Sequence, residues 1–379
     1  MGHGANAKEA VYTLLAERLK NAPVGTPIND ELMDILHHLY TESEAMVGGK
    51  FPMAPMKLEQ IVSSTGIGQD ELEKTLQSMI HKGLVLNIPT PDGTVYMLSP
   101  MMIGFFEFTF NRVKKPDYVE LKQLAEQFDK YLNNPEVRNA LFGGDTTQFR
   151  TLVYENVIPH AVQTQVMTYE KASEVIRQAG YGAIALCTCR HKASHLGKEC
   201  EINAPMDVCT TLGNVARMSV AKGWAREATV DELLEVLDRT HKLGLVHLCD
   251  NVLNEPAFIC HCCSCCCEVL GSIKEYGISA AHPSNFLPAL DAGSCDKCGI
   301  CAKKCPIDAI KMANVGDGVK MPEVNNEICI GCGVCASACP KGSLTMTQRT
   351  AFYVPPENKM EQLKRIAGEK GKAVVTSGK

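Results

Sequence analysis

The chain has 379 residues, 45% of them hydrophobic and 21% charged, with a formal net charge of −5; this is the composition of a globular chain of two or three domains, and so balanced a charge offers no bulk attraction to nucleic acid or membrane. Nineteen cysteines stand out. All lie between Cys187 and Cys339, and their odd number excludes complete pairing into disulfides.

Met1 to Lys8 lack the basic stretch, apolar core and cleavage site of a signal peptide. Asn6 stands where a myristoylation signal needs Ser or Thr, and no apolar run approaches the ~18 residues of a membrane span. A cytoplasmic protein is expected, and in a reducing compartment dense cysteines are metal ligands before they are disulfides.

In the thiol-free half, Val11, Leu14, Leu15 and Leu19 predict a helix over residues 5–21 that stops before Pro23, and a second follows from Asp30 to Tyr40. Leu58, Ile61 and Val62 read as a short helix, Gly66 to Gly68 as a turn, and Leu72, Leu76, Met79 and Ile80 as another helix. Leu84 to Ile88 and Thr94 to Leu98 read as strands around Pro91-Asp92-Gly93. This order, over Met56 to Pro100, resembles the winged-helix family, and with its leading helix the segment spans about 26–100. The resemblance implies DNA binding. However, Lys57, Lys74 and Lys82 are matched against Glu59, Asp70, Glu71 and Glu73, whereas recognition helices need cations near phosphate. A structural or protein-docking role is expected instead. Met101 to Phe142 reads as mostly helical, with Phe105, Phe106, Phe108 and Phe110 as a packing seam between subdomains. Gly143-Gly144-Asp145 reads as a boundary.

The central region holds eleven cysteines. Residues 169 to 180 predict a helix closed by Gly180, and the strand Ala183 to Leu186 delivers Cys187-Thr188-Cys189-Arg190-His191. Cys200 follows, then Cys209 at the start of a helix running towards Gly223. Thr229 and Glu232 form a capping box. The strand Leu245 to Leu248 delivers Cys249, read as an ordinary buried thiol. Phe258-Ile259 delivers Cys260, Cys262, Cys263, Cys265, Cys266 and Cys267. Neighbouring thiolates repel, so only a subset of these should share one metal. Cys187, Cys189, Cys200 and Cys209 are expected to meet the 260–267 segment and bind one or two further iron–sulfur clusters. Zinc on four of the thiolates, or a thiol relay without metal, are the alternatives. Arg190, His191, Lys192 and His195 either offset thiolate charge, receive an anionic substrate, or are plain exposed side chains.

Near the C-terminus the sequence matches itself with a shift of 34. Cys295, Cys298, Cys301 and Cys305 precede Pro306, and Cys329, Cys332, Cys335 and Cys339 precede Pro340, both as C-x2-C-x2-C-x3-C-P. Three thiolates at two-residue intervals lie on one loop that can wrap a cubane, and Gly299, Gly331 and Gly333 let the backbone approach it. Four-cysteine zinc sites usually present two separated CxxC pairs, so this spacing favours iron–sulfur clusters. The repeat resembles the bacterial ferredoxin module with two [4Fe-4S] clusters. That resemblance implies crossed ligation: Cys295, Cys298, Cys301 and Cys339 on one cluster, and Cys329, Cys332, Cys335 and Cys305 on the other. The whole order of parts resembles dicluster iron–sulfur proteins of anaerobic bacteria, which carries no settled reaction with it.

The expected architecture is α+β and multidomain. A mainly helical region with the winged-helix-like segment (1–145) precedes a cysteine-rich α/β central domain (146–283), a ferredoxin-like 2[4Fe-4S] domain (284–352) and a flexible tail (353–379). The expected function is one-electron relay to or from a redox partner protein or an oxidoreductase complex. The alternatives are an oxidoreductase with a catalytic central cluster or thiol site, and a redox-responsive DNA-binding regulator. There is no glycine-rich dinucleotide or phosphate loop.

Overall fold

The computed structural model describes residues 2–163, 166–316 and 318–372. It mixes helix and sheet and divides into two compact units. The first contains residues 1–141, 195–197 and 363–379, and the second contains residues 142–194 and 198–362.

The first unit is helical apart from one hairpin. Helix Gly2–Lys20 presents Leu15 and Leu19 inward, and helix Asp30–Leu39, capped by Asn29, presents Leu32, Ile35 and Leu36. Helices Leu58–Thr65 and Gln69–Lys82 lead into β1 (Val85–Thr90) and β2 (Gly93–Leu98), whose antiparallel register pairs Val85 with Leu98 and Thr90 with Gly93. Met56 bridges to Tyr96 on the hairpin's outer edge. Phe105, Phe106 and Phe110 surround Phe128 of helix Leu121–Leu132, with ring centroids 4.8 to 6.4 Å apart. These phenylalanines therefore form a core inside this unit, where the sequence had suggested a seam between subdomains. Part of the segment read as a flexible tail is ordered: Lys359–Glu369 is helical, and Lys370 donates to the carbonyls of Val24 and Ala140. Residues 373–379 lie outside the described residues.

An ion pair is buried in this unit. Lys82 lies 2.6 Å from Glu44, which also accepts from Ser78 and from the backbone of Thr41. Removing one partner of a buried pair strands the other. Lys82→Met should therefore lower stability by roughly 3 kcal/mol, read by thermal unfolding, whereas Lys74→Met, exposed on the same helix, should change it by less than about 0.5 kcal/mol.

The second unit is built on a seven-stranded sheet. Its strands are β3 (Phe149–Leu152), β4 (Gly182–Ala185), β5 (Cys209–Leu212), β6 (Arg226–Ala228), β7 (Val246–Asp250), β8 (Phe258–Cys262) and β9 (Ala281–His282). Their order is β6-β4-β5-β8-β7-β3-β9, antiparallel except for β3 with β9. Cys209 opens a strand, not the expected helix. The β-branched pair Thr210-Thr211 extends it, and the helix begins only at Gly213, which turns the chain at φ +55°. After the strand β4, the CTCRH segment enters a helix, Thr188–His195.

The 34-residue repeat is a repeat of structure as well. Strands β10 (Phe286–Leu290) and β11 (Ile310–Asn314), shifted by 34, coincide with β12 (Lys320–Val324) and β13 (Leu344–Gln348). β10 pairs with β13 and β11 with β12, so each hairpin-like sheet joins the two copies. Left-handed backbone positions repeat too: Lys297 (φ 59°) matches Gly331 (68°), Gly299 (72°) matches Gly333 (84°), and Asp308 (55°) matches Gly342 (63°). At Gly331 a Cβ would lie 2.3 Å from the Phe286 carbonyl oxygen and the Ser284 hydroxyl, while at Gly342 it would meet nothing within 4 Å. Gly342→Ala should thus cost only the roughly 1–2 kcal/mol of left-handed strain. Gly331→Ala must also displace backbone, and its unfolding midpoint should fall clearly further.

Candidate metal centres

The loops of the repeat gather their thiols into two sets. Cys295, Cys298, Cys301 and Cys339 line one cavity, closed by Leu290, Pro322 and Leu344. Cys305 lies in the electrostatic field of Cys329, Cys332 and Cys335. Each set thus combines three thiols of one copy with the fourth of the other. Burial holds the Cys329 and Cys332 thiols above their ordinary range and pushes Cys335 up to about 12. Burial acts on Cys339 in the same sense, but the backbone N–H groups of Lys341, Leu344 and Ser343 outweigh it and lower that thiol. The Ala309 N–H reaches the Cys305 sulfur at 3.2 Å, and the Lys297 N–H reaches that of Cys295 at 3.4 Å. A donor set of thiols alone, met by backbone N–H groups on loops with no room for a Cβ at Gly331, suits a soft iron–sulfur cluster.

The central thiols are placed by the sheet. Register pairs Cys209 with Ala185, Thr210 with Ile259, Leu248 with Cys260 and Val246 with Cys262. Because strand side chains alternate, Cys209, Cys260 and Cys262 share one face. Cys249 pairs with Ile259 and belongs to the opposite face, where it is buried with Leu152 and Ile259. Burial pushes its thiol up to about 11.

On the shared face the thiols form a hydrogen-bonded chain. Cys209 and Cys262 bond Cys260 and hold it well below the ordinary thiol range. Cys189 and Cys262 do the same for Cys267, which caps helix Glu268–Tyr276 and so gains from its dipole. Cys187 lies near Cys260, Cys263 and Arg190, and burial pushes it up to about 12. The turn after β8 makes a second group: the sulfurs of Cys200, Cys263, Cys265 and Cys266 all lie within 4.8 Å of one another. Cys265 and Cys266, adjacent in sequence, have sulfurs 3.7 Å apart, so neighbouring thiols do converge here. A hydrogen bond from Cys266, with Arg190 beside it, lowers Cys263 to about 5.

Arg190 and Lys192 are not exposed cations. The Arg190 guanidinium is buried, donates twice to the His261 carbonyl at 3.2 Å and reaches the Cys263 sulfur at 3.6 Å. Lys192 is buried against Glu268 at 2.7 Å. His191 is half-buried, and His195 falls in the other compact unit. The sequence reading overlooked the rings beneath the sheet: His247 and His261 face each other across β7 and β8, 5.0 Å apart, and Tyr154 stacks on His241 at 3.9 Å while its N–H bonds the Cys332 carbonyl. Their separation along the chain hid them; the one signal was a histidine inside the cysteine run.

Compared with known proteins, residues 294–343 match the 4Fe-4S dicluster domain. No curated protein matches the chain. No described helix is long and apolar enough to cross a membrane. The chain carries a C-terminal ferredoxin-like module for two [4Fe-4S] clusters and has an iron–sulfur redox role.

Proposed function

We propose that the protein relays single electrons between its two cubanes and a redox partner protein or oxidoreductase complex. The observation that carries this reading is the sorting of the eight repeat thiols into two sets of four, each completed across the repeat. Cys295, Cys298, Cys301 and Cys339 hold one cluster, and Cys329, Cys332, Cys335 and Cys305 hold the other. The clusters supply reversible one-electron chemistry. The chain's own part is to bury the sulfurs, donate N–H groups to them and keep water away, which sets the potentials. The central thiols Cys187, Cys189, Cys209 and Cys260, half-buried, and Cys262 and Cys267, buried, form a further metal-binding set on the same side of the sheet. Met56 to Pro100 serves protein docking, since Asp70, Glu71 and Glu73 stand exposed on its second helix and would repel a phosphate backbone.

Anaerobically purified protein should contain at least about eight irons and eight sulfides per chain, by two cubanes of four. Its reduced form should show two magnetically interacting centres by paramagnetic resonance. Cys305→Ala should perturb the cluster on the second triplet and abolish that interaction, while an unchanged spectrum and iron content would overturn the crossed assignment.

Lys297, Lys303, Lys304 and Lys311 are exposed around the first triplet, which favours a partner with an acidic rim. Reduced protein should therefore react faster with an anionic iron complex than with a cationic cobalt complex of similar potential. Added salt should narrow the difference, and Lys303→Glu with Lys304→Glu should reverse it.

A further inference from the structure

The spacing of sulfurs distinguishes one kind of metal centre from another. A single tetrahedral ion with metal–sulfur bonds of about 2.3 Å holds its thiolates about 3.8 Å apart. A cubane places four irons and four sulfides between its thiolates and holds them roughly 6 Å apart. In the central domain, Cys200 and Cys265 have sulfurs 3.7 Å apart, as do Cys265 and Cys266, and all four sulfurs of Cys200, Cys263, Cys265 and Cys266 fall within 4.8 Å of one another. Among the described residues this is the one group drawn so tightly. The eight repeat thiols, which serve cubanes, form no such group.

We infer that Cys200, Cys263, Cys265 and Cys266 bind a single tetrahedral thiophilic ion, zinc or mononuclear iron, and not a third [4Fe-4S] cluster. This rests on the reading of the chain as a metalloprotein but not on the crossed ligation of its cubanes. The four donors span two segments. Cys263, Cys265 and Cys266 sit in the turn that closes β8, and Cys200 lies in the irregular stretch between helix Thr188–His195 and β5. The ion therefore staples that stretch to the sheet. Four thiolates on a divalent ion leave two negative charges, and the Arg190 guanidinium at 3.6 Å from Cys263 offsets one of them. A complete thiolate shell has no open position, so substrate does not bind on this ion. Binding releases the protons that the metal-free thiols share, with no electron gained or lost.

The test uses the full chain, purified without oxygen. Elemental analysis should find about one zinc per chain, or about one iron beyond a multiple of four. X-ray absorption at the zinc edge should find four sulfurs at about 2.3 Å and no short metal–metal distance. If the single ion is iron, its signature is the red, thiolate-to-iron charge-transfer absorption of a mononuclear site. Replacing it by Co2+ should give the visible bands of a tetrahedral thiolate complex. Cys200→Ser with Cys265→Ser should lose at least nine-tenths of this one ion and leave the cubane iron unchanged. Loss of about four irons in that variant, from a wild type without zinc, would make the site a cubane and overturn the inference. A Cys200–Cys265 disulfide in metal-free protein, seen as a mass two units low, would overturn it too. Should the double variant not fold, the wild-type absorption spectrum decides alone. Failure of the dicluster reading is distinguishable, because it would show as iron below about eight with the single ion intact.

Discussion

Crowded sulfur is the condition on which the second unit depends. A buried thiolate is costly, and two in contact repel, so a protein that packs ten thiols around one end of a sheet must supply protons, cations or metal to stabilise them. In the metal-free arrangement these thiols share protons: Cys260 and Cys267 are held low by neighbouring thiols, and Cys262 lies between them, within hydrogen-bonding reach of either for its single proton. A buried guanidinium, Arg190, is placed against Cys263. Lys192 lies close by in the chain but is committed to Glu268, so it fastens helix Thr188–His195 to helix Glu268–Tyr276 and contributes little free charge. A metal ion bound here, as proposed, would replace the shared protons with a stronger counter-charge and couple the folding of this face to metal binding.

The two halves of the second unit solve this crowding differently. In the repeat, loops with left-handed backbone at Gly299, Gly331 and Gly333 turn the chain around a space, and the thiols line its walls. In the central domain the thiols project from one face of the sheet, from helix Thr188–His195 and its flanking segments, and from a short turn, and several of them touch one another. The first geometry accommodates a cluster with its own inorganic sulfide, and the second a bare ion or a chain of hydrogen bonds.

Legibility in the sequence follows the range of the interactions involved. The repeat was readable because its signal is local: a loop must place three thiols at fixed intervals, and duplication prints that requirement twice. Even the strands of the two copies follow the same shift of 34. The central site was readable only as a list of thiols. What sorts that list is strand parity, and parity depends on a register set between segments fifty residues apart, such as Thr210 with Ile259. One residue of slip would have exchanged Cys249 for its neighbours. The burial of Arg190 and Lys192 was illegible for the same reason: a helix starting at Thr188 turns them inward, whereas charge alone points outward. The Phe105–Phe110 cluster was legible as packing, but not which surfaces it packs, because its main partner Phe128 lies a helix away.

Cys249 shows how narrow the selection is. It has the same thiol as its neighbours, lies on a strand that pairs directly with the cysteine-rich one, and is fully buried. It nevertheless belongs with Leu152 and Ile259 in an apolar cluster, because its side chain leaves the sheet on the opposite face. Cysteine chemistry in this fold is thus assigned by geometry: a thiol on the crowded face is placed among others with which it can share a proton or, as proposed, a metal, and one on the other face behaves as a small apolar side chain. The odd cysteine in the total is the one that the sheet turns away.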